Sequence, residues 1–159
     1  AAQDLIYQHQ SVNAANAGAV AVEMGHAYSK LSFLATAGNG YTGAANLTQV
    51  QITGGIYATG TLNMLDGKVD PVGTATGTLT LAAGEKALVV PMAGQPTIAV
   101  TCTIDDKEFT ATIKADTMPS LLAGVEYEIT LTVVGQEAVI SSVKEVPWTT
   151  TKVDGGTIS

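Results

Sequence analysis

The chain has 159 residues and a mass of 16.2 kDa, with 46% hydrophobic and 13% charged residues, a composition that can bury a core and excludes intrinsic disorder. Seven lysines, no arginine and 14 acidic residues give a net charge of −7, which leaves no basic footprint for a nucleic-acid backbone. No apolar run approaches the roughly 20 residues needed for a membrane-crossing helix.

The hydrophobic period is two almost everywhere, so the predicted elements are strands. Residues 19–24 place Val20, Val22 and Met24 on one face, whereas Leu31, Phe33 and Ala35 take the opposite parity, and Gly25 marks a bulge or break between the two runs. Further strands are predicted over 47–52, 57–64, 74–81, 87–92 and 97–104. Residues 65–73, with Asp66, Gly67, Asp70 and Pro71, break the alternation most fully, and a boundary there divides an N-terminal lobe, 1–68, from a C-terminal lobe, 69–159. After a turn at Asp105 and Asp106 come strands over 108–113, 125–133 and 138–143. Phe109, Ala111 and Ile113 face one way, as do Val125, Tyr127, Ile129, Leu131 and Val133 against polar partners, the pattern of half-buried antiparallel strands. Leu121, Leu122 and Ala123, before Gly124, form the one helical turn the pattern admits. About ten short strands at this spacing define a sandwich or a barrel.

Motifs that carry chemistry are sparse. Gly38, Gly40 and Gly43, followed by Asp66, have the spacing of a dinucleotide fingerprint, but only about six residues separate Gly43 from the next alternating strand, too few for the crossover helix that the mechanism needs. His9 and His26 are the only imidazoles and lack a neighbouring ligand pair, so neither a metal nor any cofactor is expected. No nucleophile elbow or phosphate loop occurs, no catalytic residue emerges, and an enzyme is not expected. Cys102 lies in the alternating run of Ile98, Val100 and Ile104 and reads as a small buried hydrophobe. Asn46, Leu47 and Thr48 form an N-glycosylation sequon, which counts only in a secretory host. Asp116, Thr117 and Met118 resemble the O-glycosylation acceptor of exported Bacteroidetes proteins, which makes Thr117 a candidate modification site.

Six segments, in order, resemble the fimbrillin family of Bacteroidetes, the type V pilus subunits and their relatives. Asp4, Leu5, Ile6 and Tyr7 are similar to the family's D-L-L-Y strand. The run from His26 and Ala27 through Lys30 and Leu31 to Phe33 is similar to H-A-x-x-K-L-x-F. Thr59 and Gly60 with Leu62 and Asn63, then Val89, Val90 and Pro91, follow at the expected places. The run from Leu122 through Gly124 to Tyr127 resembles L-x-x-G-x-x-Y, and Val146, Pro147, Trp148 and Thr149 resemble the closing I-x-x-W-T.

The resemblance implies two transthyretin-like, Greek-key β-sandwich lobes on a lipoprotein-derived subunit at the cell surface, outer-membrane-associated or in an extracellular fimbria. It also implies assembly with other pilus subunits by donor-strand exchange, after a protease removes an N-terminal segment, and adhesion to a host or bacterial surface ligand. Only Ala1, Ala2 and Gln3 precede Asp4, so either the N-terminal lobe is expected to be incomplete or the chain is a shortened relative; any arginine-specific cut and any lipid-bearing cysteine would lie upstream of Ala1. The segment 153–159 is short for a donor strand, which favours a terminal position in a filament.

A sandwich missing a strand leaves an unpaired edge beside an apolar groove, which strand addition from another chain would fill. The strands with unbroken alternation are the expected acceptors, giving a candidate groove of Ile98, Val100, Ile104, Val125, Ile129 and Leu131; core packing within one subunit explains the same residues. Trp148 is expected as a core plug. The alternative reading is a monomeric carbohydrate-binding module, which would bring Tyr41, Tyr57 and Trp148 onto one exposed plane, although only 5% of residues are aromatic.

Overall fold

Between Ile98 and Ile104 every second side chain is apolar, and all four, with Cys102 among them, are essentially inaccessible to water, while Ala99, Thr101 and Thr103 are half-exposed. The same rule holds in the run through Tyr127, Ile129, Leu131 and Val133, each fully buried. Two such strands are stable only if their apolar faces oppose each other, and that pairing of faces organises the molecule.

The computed structural model describes residues 4–8, 22–94, 97–148 and 152–153. Its strands, in chain order, are β1 Ile6–Tyr7, β2 Val22–Glu23, β3 Gly25–His26, β4 Ser29–Ala37, β5 Leu47–Ile56, β6 Thr59–Leu62 and β7 Val69–Val72. There follow β8 Gly77–Ala82, β9 Ala87–Val89, β10 Ile98–Ile104, β11 Lys107–Ile113, β12 Val125–Val134, β13 Glu137–Pro147 and β14 Lys152–Val153. Two four-stranded sheets carry the fold, ordered β11-β10-β5-β8 and β13-β12-β4-β9, and their inner faces share one core that includes Leu31, Ile52, Val100 and Leu131. Short pairs β1-β3, β2-β14 and β6-β7 sit outside them. The result is an all-β sandwich with no helix among the described residues.

The strand at 19–24 is described only from 22, as β2, and its residues 19–21 lie outside the described residues. The helical turn expected at Leu121 is absent: Leu121 forms a β-bridge with Met92, each donating its N–H to the other's carbonyl, and Gly124, at φ 71°, turns the chain into β12. The break at 65–73 is a hairpin, β6-β7, with its turn at 63–68. Pro71 is tolerated there because β7 pairs with β6 alone. The boundary drawn there does not separate two sandwiches among the described residues. Both sheets mix strands from either side of it, β4 pairing with β12 and β5 with β10. A small satellite cluster of Ala27, Val69 and Val90 packs beneath the β6-β7 hairpin and also spans the boundary.

Two local devices fix the geometry. Asp105 and Asp106 take φ 47° and 61°, the mirror-image turn that joins two twisted strands with only two residues, here β10 and β11. In β5 the ladder shifts register between Ile52 and Ile56, and Gly55, at φ 87°, brings its Cα so close to the Thr97 carbonyl that an added Cβ would lie 2.3 Å from that oxygen.

Because Leu131 sits in the shared core, Leu131→Ala should lower the unfolding free energy by about 2–5 kcal/mol. Leu34→Ala, on a β4 residue that is 55% exposed, should change it by less than about 1 kcal/mol. Urea denaturation of the two variants checks the contrast.

Candidate functional site

Ile98, Val100, Ile104, Ile129 and Leu131 are inaccessible and Val125 is half-buried. They lie on β10 and β12, the inner strands of the two sheets, and each of these strands is already paired on both sides. The predicted acceptor groove is therefore packed core: unbroken alternation marks the strands with the most neighbours, which are the ones least able to accept another.

The open edge lies one strand further out. β4 is nine residues long and pairs with β12 from Lys30 to Ala37, but β9 accompanies it on the other side only from Ser29 to Leu31. Among the described residues no strand continues along that side of β4 over residues 32–37. β9 runs antiparallel to β4 and begins opposite Leu31; the residues that would continue it along 32–37 are Gly84, Glu85 and Lys86, which form the turn arriving from β8 and lie outside the strand. The open stretch reads Ser32, Phe33, Leu34, Ala35, Thr36, Ala37. It carries no charge and no proline; Phe33 turns inward and Leu34 is 55% exposed.

Both ends of β4 are anchored by polar clusters. At its start, Lys30 and Lys86 reach the buried Glu126 carboxylate at 2.8 and 2.5 Å. Burial works to raise this carboxyl, but hydrogen bonds from Lys30, Lys86 and Ser32 outweigh it and hold the group below the usual glutamate range. Lys30 Nζ also lies 3.9 Å from the centre of the Trp148 ring, and Trp148 stacks on His26 at 3.7 Å with planes 4° apart. His26 Nδ1 is 2.6 Å from Asp4 Oδ2. Trp148 is thus a half-buried clasp that ties the end of β13 to the start of β4, and it is not a member of the core cluster. Just beyond the far end of β4, Asp105 accepts hydrogen bonds from the Tyr41 hydroxyl at 2.7 Å and from the Ala45 and Asn46 N–H groups at 2.9 Å. The bond from Tyr41, with those from the two N–H groups, pulls the Asp105 carboxyl below its ordinary value, and the same contact raises the Tyr41 phenol.

The glycines at 38, 40 and 43 lie in the loop between β4 and β5 that Asp105 pins, with no helix after them; a Cβ on Gly43 would strike Asp105 and Tyr41. Of the two histidines, His9 lies outside the described residues and His26 is the ring stacked on Trp148. Among the described residues no group of three or more His, Cys, Asp or Glu side chains converges. Burial pushes the Cys102 thiol up to about 11, so it is inert as a nucleophile at neutral pH. Thr117 is exposed in the turn after β11, its N–H bonded to the Lys114 carbonyl and its hydroxyl 3.2 Å from Asp116. Asn46 is exposed, with its N–H bonded to Asp105.

The described residues thus form a two-layer β-sandwich whose polar clusters brace strand ends and whose β4 keeps one backbone edge unpaired over 32–37. The fimbrillin-like family model matches residues 1–148, and the chain belongs to that family. In fold it is similar to the crystal structure of a candidate cell adhesion protein from Bacteroides uniformis ATCC 8492, with a TM-score of 0.64 at 22% identity over 79% of this chain. A second such candidate, from Bacteroides ovatus ATCC 8483, gives 0.62 at 18% identity, again over 79% of this chain. The chain spans 52% and 47% of those two structures. No curated protein matches it.

Two predictions test the braces. The Asp105 contribution to stability is present above the ordinary aspartate range, about pH 4, and is lost as pH falls through the lower folded value, so Asp105→Asn should flatten the acid limb of stability measured by urea melts across pH. Tyr127→Phe removes the hydroxyl that accepts the Leu122 N–H at 2.9 Å and should cost about 1 kcal/mol in the same assay.

Proposed function

We propose that the protein is a non-catalytic subunit of a cell-surface fimbria or adhesive assembly, and that β4, over residues 32–37, accepts a strand from another subunit. The observation that carries this reading is the mismatch between the nine residues of β4 and the three of β9 beside it. Sheet edges that must stay single are blunted with lysine, proline or bulges, and this stretch has none of them. An incoming strand would satisfy the free backbone groups of β4 and cover Leu34 and the flank of Phe33, gaining affinity from main-chain bonds and register from alternate side chains.

Membership of the fimbrillin-like family supports the pilus role and a cell-surface location, outer-membrane-associated or extracellular, and the exposure of Thr117 in its turn is compatible with a role as O-glycosylation acceptor. The neighbouring structures, both candidate cell adhesion proteins, support the adhesive part. The rival sugar-binding platform is disfavoured in its expected form. Tyr41 is bonded to Asp105 beyond one end of β4 and Trp148 is stacked beside the other, about 25 Å apart along a strand of this length, so they do not form one plane with Tyr57.

Strand-exchanged polymers resist detergent until heated. Native cell-envelope material run in SDS without boiling should give a ladder that collapses to one band on boiling, and Leu34→Lys, which places a charge on the open stretch, should move most of the ladder into the monomer band. A single band from the unaltered protein in both lanes would overturn the reading.

A further inference from the structure

A cleft of about 430 Å³ opens beside the satellite cluster, lined by Tyr28, Tyr57, Leu88, Val90 and, from β6, Thr59 and Gly60. Its volume is within the range of small-molecule sites. It is separate from the open stretch of β4 at 32–37 and shares no residue with the Asp105 or Glu126 clusters.

Three features define what it can hold. None of its lining side chains carries a charge, and the chain is net −7, so a charged ligand has no counter-ion there and an anionic one is repelled. Both tyrosines are half-buried and packed on the satellite cluster, yet neither hydroxyl has a hydrogen-bond partner among the described residues, so each is a polar group that a ligand in the cleft can satisfy. The Thr59 hydroxyl makes only a long 3.4 Å contact to the Val72 carbonyl, and the backbone edge of β6 away from β7 carries no strand, which adds further donors and acceptors along one rim.

A lining that combines tyrosine rings and aliphatic side chains with three hydroxyl groups and no charge matches a molecule with an apolar C–H face and a rim of hydroxyl groups. We infer that the Tyr28–Tyr57 cleft is a binding site for an uncharged pyranose, its C–H face laid on a tyrosine ring and its hydroxyls bonded to Tyr28, Tyr57, Thr59 and the free edge of β6. This site does not depend on strand addition at β4, and it gives an adhesive subunit a ligand-binding surface of its own.

Saturation-transfer NMR on the intact protein tests the inference, with the methyl glycosides of glucose, galactose, mannose and N-acetylglucosamine as probes. At least one should receive saturation on its ring C–H protons, and Tyr57→Ala should weaken its binding by about tenfold or more. Because Tyr57 also packs on core residues, Tyr57→Phe and Tyr28→Phe keep the ring and remove only the hydroxyl; each should weaken binding by about threefold to tenfold, with unfolding midpoints near that of the parent. Absence of transfer to all four glycosides overturns the inference. So does binding that the tyrosine variants leave unchanged, or displacement of a bound glycoside by an uncharged extended peptide with higher affinity.

Discussion

Everything in the sandwich follows from the opposition of two inner strands. β10 and β12 each offer water-free apolar faces and each need flanking partners on both backbone edges. β11 and β13 supply one side of each by simple hairpins, but the other side has to come from β5 and β4, more than 40 residues upstream by the pairing of Val50 with Cys102. Once those four inner positions are filled, the outermost places fall to β8 and β9. β9 is brief on the side of 32–37 because the chain, turning in from β8, joins it only at Ala87, opposite Leu31. The open edge of β4 is thus a consequence of how the core is completed.

The polar residues buried at the margins show the cost of this arrangement and its remedy. Glu126 is on β12 beside Ser29 to Leu31 of β4, where the third strand has just begun and water access is limited. A lone carboxylate there would be unstable, and two lysines, Lys30 of β4 and Lys86 from the turn before β9, neutralise it. Lys30 serves twice, bonding Glu126 and covering the Trp148 ring, so the same cation secures the β4–β12 pairing and the exit of β13.

Much of the fold was legible because alternation is enforced by burial. The strands at 97–104, 108–113 and 125–133 sit within one or two residues of β10, β11 and β12, and the half-buried pattern of Phe109 and of Tyr127 was read directly. Sheet membership was not legible. Local pattern reports that Leu31 and Leu131 are both inward, but not that they lie on neighbouring strands, and so the turn at 65–73 looked like a boundary between lobes. The site was missed for a related reason. Hydrophobic alternation ranks strands by how completely they are enclosed, whereas an acceptor edge is recognised by what a neighbour lacks; the available signal was the turn at Gly84, Glu85 and Lys86, which starts the run at 87–89 too late to accompany all of β4. The roles of Asp105 and Trp148 depend on partners 60 or more residues away, such as Ala45 and His26, which no spacing rule brings together.

The pairing of β4 with β12 is parallel and joins Lys30 to Glu126, a separation of 96 residues. During synthesis, β4 and β5 emerge long before either has its inner partner, and the sheet that contains β4 cannot close until β12, from Val125 onward, has been made. Contacts of such long range are slow to form, since the intervening loop must be ordered before any contact rewards it. Until β12 is made, the sandwich that covers Phe33, Ile52 and Val100 therefore stays incomplete, an open state that a chaperone can hold.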